Sequence, residues 1–400
     1  MRTFVSFAVC FSFLLVNLSQ AQDAPTFVEL QGHTNRIWKF AFSPDGQRIV
    51  TESLDNTVRI WDTDTGKELH NLGNYGGSLW SVAFLPDGKK IMTPGGTYRV
   101  NGKVMRIWDV ETGKELQKIG TVADRENWSL YYFSPDSKKI VTTMRRFIDG
   151  DIVQIWDVES GEKLHTLTGL TGGGERGPFV GFSPDGKKIV VTSKKDVQSI
   201  WDVETGKELR KLKGWFFKFS PDGQKMITFS ENGKTYHIWD VETGKELRKW
   251  NGGFLDFSPD GQKMVTRGED GTIHIQDTES GKELQKLEGD TASVWHVTFM
   301  PDGKKMITRG NDSVVRVWDT ESGKELQKFE GVSYGFFSPD GKKFVAGASG
   351  KQGTIKILDA ESGKYLQVFE GHFGIPSHDG KRIAMKSTED ASTLQIWILK

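Results

Sequence analysis

"WDVETGKEL" occupies Trp108–Leu116, and the same nine residues return at Trp201–Leu209 and Trp239–Leu247. Relatives of the form Asp-x-(Asp/Glu)-(Thr/Ser)-Gly begin at Asp62, Asp109, Asp157, Asp202, Asp240, Asp277, Asp319 and Asp359. Each is followed by Lys or Glu and, shortly after, by Leu. An Asp carboxylate can accept the backbone amides just ahead of it, and Gly supplies a positive φ, so the motif reads as a bulged hairpin turn. The run before it, such as Val104–Trp108, is rich in strand formers. The run after it, such as Glu208–Leu212, alternates charged and apolar residues, as a strand with one wet face does.

A second marker interleaves with the first. Phe-Ser-Pro-Asp-Gly begins at Phe42, Phe182, Phe219, Phe257 and Phe337, with variants at Phe84, Phe133 and Phe299 and a degraded copy at Pro376–Gly380. Ser at the first position, Pro at the second and Gly at the fourth suit a type I turn. Each unit is therefore strand, SPDG turn, strand, loop, strand ending in Trp-Asp, ETGKEL turn, strand. Four antiparallel strands in roughly 40 residues is the signature of a propeller blade. The inner three strands occur nine times, ending at Trp61, Trp108, Trp156, Trp201, Trp239, Gln276, Trp318, Leu358 and Trp397. The fourth strand follows its turn eight times. Phe27–His33 resembles Leu284–Asp290, a fourth strand with its exit, and is expected to complete the last blade and close the ring. The expectation is an all-β propeller of nine four-stranded blades; eight blades with one divergent unit is the alternative.

With these motifs the chain resembles the WD-repeat (WD40) β-propeller family over residues 25–400. The first unit carries Gly32-His33, Phe42-Ser43-Pro44-Asp45-Gly46, Asp55 and Trp61-Asp62. The resemblance implies a hydrogen-bonded tetrad of His33, Thr51 (or Ser53), Asp55 and Trp61 within the blade. Other units depart: Gly-His returns only at Gly371-His372, and Gln276 and Leu358 replace the Trp, so those blades must lean on apolar packing.

The remaining sequence bounds the function. The chain has 400 residues, 53 basic and 53 acidic, for a formal net charge of zero. That balance argues against a general nucleic-acid or anionic-membrane binder. Arg2, the apolar run Phe4–Leu18 and the small-x-small triplet Ser19-Gln20-Ala21 read as a cleavable secretory signal, residues 1–21. The run is shorter than the ~20 residues of a membrane span. The mature chain, residues 22–400, is then expected to be one secreted or periplasmic propeller with no membrane span. Cys10, the single cysteine, would leave with the signal.

Function is expected on the face opposite the two uniform turns, where loops vary. Three stretches lengthen that face: Thr93–Gly102, Met144–Asp151 and Thr168–Gly177. Four residues before the SPDG Phe stand Trp38, Trp80, Trp215 and Trp295. By resemblance this position lies near the channel rim and contacts partners. Arg36, Arg145, Arg146 and Arg176 could frame such a site. The eight His have no helical metal-site spacing, and His237, His274 and His296 fall in or near strands. The expected function is a non-enzymatic scaffold binding a protein or peptide, with no cofactor, metal, catalytic residue or nucleic-acid partner. Two other classes stay open: a propeller hydrolase or lactonase, and a glycan or cell-envelope binding module.

Overall fold

The computed structural model describes residues 27–74, 82–97, 100–120, 128–144, 151–170, 180–194, 197–287, 294–312, 314–330, 332, 334–338, 340–347, 354–370, 374–387 and 390–399. The signal reading and the Gln22–Thr26 stretch lie outside them.

The opening stretch folds as its chemistry requires. In Trp201–Leu209, the Asp202 carboxylate accepts the Thr205 amide (2.8 Å) and hydroxyl (2.7 Å), three residues on. Gly206 at φ 64° donates its amide to the Asp202 carbonyl, and the strand register shifts at Ile200/Trp201, giving the bulge. The Thr/Ser preference of the motif is thereby explained: the hydroxyl ties down the Asp. The SPDG turn uses the same device. Ser183 donates to Asp185 (2.6 Å) and accepts the Lys188 amide (2.9 Å). The two turns zip together, because the Val203 amide donates to the Lys187 carbonyl (2.9 Å) while the Val203 side chain is buried. In the third unit Ser137 stands where the Gly should be and holds φ 61°. Its hydroxyl accepts the Asp87 amide of the neighbouring turn (2.8 Å), which offsets part of the strain.

Nine four-stranded antiparallel sheets result. Blades 1 to 8 cover residues 37–74, 83–119, 128–170, 180–213, 215–251, 253–286, 294–330 and 334–370. Blade 9 takes three strands from residues 374–398 and its outermost strand from Phe27–Leu30, which pairs with Leu394–Ile398. The count is nine, and the N-terminal strand closes the ring. The first strand of each blade is innermost; those of blades 1 and 2, 3 and 4, and 6 and 7 touch.

The core has no single centre. Among the described residues, nine apolar clusters form, one between each pair of neighbouring blades. The cluster joining blade 9 to blade 1 sets Leu30, Leu394 and Ile396 against Ile37, Phe40, Phe42, Ile49 and Trp61. Two polar links reinforce this seam: Ile37 donates its amide to the Ala391 carbonyl (2.9 Å), and Arg382 donates to Asp64 (3.1 Å).

Within blades, the third-strand Trp donates its indole N–H to the second-strand Thr. This bond joins Trp61 to Thr51 (2.7 Å), Trp108 to Thr93 (2.7 Å), Trp156 to Thr142 (3.0 Å), Trp239 to Thr228 (2.8 Å) and Trp318 to Thr308 (2.9 Å). In blade 1 the chain continues. Thr51 accepts from Trp61 and also meets His33 Nε2 at 2.7 Å, donating its one proton there when the ring is neutral. In that neutral form the Nδ1–H of His33 donates to Asp55 (2.8 Å). Burial holds the His33 pKa below its ordinary value, in keeping with the neutral form. Asp55 stays ionised: burial opposes this, but donors from Thr57, His33 and Thr34 outweigh it and hold the carboxyl far below the usual range.

Other blades break the pattern in three ways. Blade 6 keeps Thr266 but carries Gln276 in place of the Trp. In blade 8 both partners change: Ala346 replaces Thr, Leu358 replaces Trp, and Phe344 fills the space by packing on Phe329 (4.8 Å) and Phe337 (5.3 Å). In blades 4 and 9 only the acceptor changes. Val191 and Met385 stand where Thr belongs, and the buried Nε1 of Trp201 and of Trp397 has no hydrogen-bond partner among the described residues.

Two outcomes are expected. Deleting residues 22–33 removes the closing strand and bares the edge of Leu394–Ile398. Size-exclusion chromatography should show aggregation, and an unchanged monomer with unchanged melting would contradict closure. Val191→Thr gives Trp201 its missing acceptor and should raise stability by about 1 kcal/mol, whereas Thr228→Val should lower it by about 1–3 kcal/mol. Denaturant titration of the pair checks both signs.

Candidate functional site

The SPDG and ETGKEL turns share one face of the ring because strands alternate in direction. Their carboxylates are already spent. The Thr65 hydroxyl and the amides of Thr65 and Asp64 hold the Asp62 carboxyl below its usual range, and the same bonds recur at Asp109, Asp202 and Asp240. Such groups are structural acceptors, poorly suited to carry protons. The opposite face holds the starts of the innermost strands and is free of these turns.

Two of the four Trp positions stand out there. Trp38 is the extra residue of a β-bulge between Ile37 and Lys39, and Trp295 of one between Val294 and His296. Each is 50% exposed. Trp215 differs. The connection from blade 4 is the single residue Gly214, at φ 96°, so Trp215 enters the ladder at once, opposite Phe229, and is half-buried. The bulge of blade 5 falls two residues later, at Phe217, which is 39% exposed. Equal spacing from the SPDG turn therefore does not give equal placement. Trp80, Arg145, Arg146 and Arg176 lie outside the described residues, as does His372.

Arg36 is exposed beside Trp38, and its carbonyl accepts the Leu54 amide (2.9 Å). Lys386 of blade 9 reaches the Trp38 carbonyl (3.5 Å), and burial together with the charge of Arg36 lowers its pKa. Of the three variable stretches, Thr93–Gly102 is not a loop over most of its length. It extends the Lys90–Thr97 and Val100–Asp109 strands, whose pairing continues to Thr97/Val100. The longer connections after Met144 and Leu170 fall outside the described residues.

A second group gathers around Trp295 on blades 5 to 7, most of it unmarked by the spacing of tryptophans. Lys218 and Asp256, on neighbouring innermost strands, form an ion pair. His296 stacks on Trp295 with ring centroids 5.7 Å apart. The Arg309 guanidinium lies over Trp295, 4.9 Å from the ring centre. Arg267 donates to the Val294 carbonyl (3.0 Å). Burial, then the charge of Arg309, pushes the His296 pKa down and favours the neutral ring. The sequence did hold a signal: Thr-Arg-Gly recurs at Thr266–Gly268 and Thr308–Gly310.

The other histidines have plain duties. His237 and His274 sit two residues before the Trp position, where blades 1 and 7 carry Arg59 and Arg316. They contact Glu246 (3.2 Å) and Glu283 (2.8 Å) as Arg59 contacts Glu68 (2.6 Å). Among the described residues no group of three His, Cys, Asp or Glu side chains gathers as a metal site.

Comparison with known proteins agrees with this architecture. The family model described as "WD domain, G-beta repeat" matches residues 25–62, 253–277 and 281–319. The first match takes in the closing strand and three strands of blade 1; the other two fall on blades 6 and 7. The U3 small nucleolar RNA-associated protein 21 of Saccharomyces cerevisiae is 43% identical over 60 residues, 15% of this chain and 6% of that protein. Human striatin-4 is 54% identical over 33 residues, 8% of this chain and 4% of that protein. The chain thus matches only a small part of these relatives. A solved eukaryotic initiation factor structure overlays with a TM-score of 0.65 at 16% identity, covering 85% of this chain and 89% of that one. The computationally designed Ika8 protein gives a TM-score of 0.52 at 20% identity, covering 94% of this chain and all of that one. Both likenesses concern the fold alone. With its Trp–Thr pairs, its Asp-capped turns and its strand-swapped closure, the chain is a β-propeller that carries WD repeats in the three stretches the family model matches.

Proposed function

We propose that this propeller is a non-enzymatic scaffold that binds a protein or peptide on the face opposite its turns. The observation that carries the reading is the pair Trp38 and Trp295, each half exposed at a bulge of an innermost strand. A bulge re-aims a side chain out of the sheet. A large aromatic held half in water by a rigid sheet is a typical anchor for a partner. The family supports the same reading, since WD-repeat propellers generally serve interaction. The turn face is occupied by its own hydrogen bonds, which favours the other face as the working one. A glycan would also suit flat aromatic surfaces, and the test below separates it by the nature of what is captured. We further propose that residues 1–21 are a cleaved export signal and that the mature protein is secreted or periplasmic, on the strength of Arg2, the run Phe4–Leu18 and Ser19-Gln20-Ala21.

The protein, used as bait on an envelope and lysate extract of its native source, should retain a specific protein. Trp38→Ala with Trp295→Ala should release it, at about 2 kcal/mol or more per anchor, with melting nearly unchanged. A large fall in melting temperature instead would assign both Trp to packing, and retention of polysaccharide alone would favour the glycan module. Mass spectrometry of the exported protein should find Gln22 at its N-terminus; an intact Met1 would end the export reading.

A further inference from the structure

Arg48, Arg59, Arg106, Arg316 and Arg382 each meet a carboxylate, whereas Arg248, on the outer strand of blade 5, reaches the Thr278 carbonyl and Met264 instead. On blades 6 and 7, at the open face, the corresponding positions Arg267 and Arg309 meet no carboxylate among the described residues. Arg267 has only the Val294 carbonyl, and the buried Nε of Arg309 has no hydrogen-bond partner among the described residues. The nearby acid, Asp256, is taken by Lys218. Burial lowers the pKa of Arg309 and so records the cost of holding this cation partly out of water. A guanidinium fork in that state is suited to a carboxylate, which it can grip with two parallel bonds.

We propose that the channel mouth at blades 5 to 7 is a receptor for an acidic peptide segment, with Arg309 and Arg267 taking a carboxylate and Trp295 the apolar side chain beside it. Trp295 contacts both Arg309 and His296, and half of it is uncovered. An anion on Arg309 is therefore bordered by an aromatic plane, a pairing that an isolated inorganic anion would not use. Nucleic acid is the less fitting polyanion. It needs a continuous basic stripe, and here Asp256 interrupts the cations within a chain of zero net charge. This inference rests on the peptide-binding reading of the same face and adds the class of peptide.

The test is selection from a phage-displayed random peptide library on the immobilised protein, with and without oligothymidylate as competitor. Recovered peptides should carry Asp or Glu next to an apolar residue. One of them, made synthetically and labelled with fluorescein, should bind more weakly as salt rises. Arg309→Gln should weaken it on the order of tenfold or more, with Arg309→Lys in between and all melting temperatures alike. Neutral or basic peptides selected on this face, equal binding by Arg309→Gln, or displacement by oligothymidylate would overturn the acidic-peptide inference while leaving a binding face in place. Recovery of no peptide would remove the peptide-binding reading itself.

Discussion

Closure is the constraint on which the rest of the structure depends. A blade of four short strands cannot bury its two faces alone; each buries them against its neighbours, and the cores lie in the seams. A ring of such seams is complete only if the last blade meets the first. That meeting is made by Leu30 and its three predecessors, paired to Leu394–Ile398 and packed on Ile37, Phe40 and Trp61. The chain therefore joins its ends inside one sheet, and no blade is left with a bare face.

The same economy of short parts explains why the two faces differ. The turn face is built by local chemistry, with Asp capped by Thr or Ser hydroxyls, Gly at positive φ, and each SPDG turn bonded to the Asp turn of its blade. Little of it can change without loss of the hairpin. The other face carries connections that range from a single Gly214 or Gly252 to much longer segments. Diversity gathers where the hairpins impose nothing, and the exposed Trp38 and Trp295 gather there too, with Arg267 and Arg309, which meet no carboxylate among the described residues.

Much of the fold was legible in the residues. Asp-x-Glu-Thr-Gly states its turn, and the tally of third strands against fourth strands points to nine blades and a borrowed strand. The site was less legible. Trp38, Trp215 and Trp295 share one spacing, yet Trp215 is drawn into the ladder by the short Gly214 connection while the other two are bulged outward. Spacing counts residues and cannot see where a bulge absorbs one. The cluster of Lys218, Asp256, His296 and Arg309 is drawn from three blades, and only the Thr-Arg-Gly repeat hinted at part of it.

By itself the sequence determined the strand order, the turn types and the closing strand and favoured nine blades over eight, because each follows from hydrogen bonds and φ values set within a few residues or from counting repeats. Only the tertiary structure decided which Trp indoles found a Thr and which, like Trp201, were left against a Val. It alone decided which aromatics reached water and which cations went without a carboxylate. Those outcomes depend on distances between strands and blades far apart in the chain, which local chemistry does not specify.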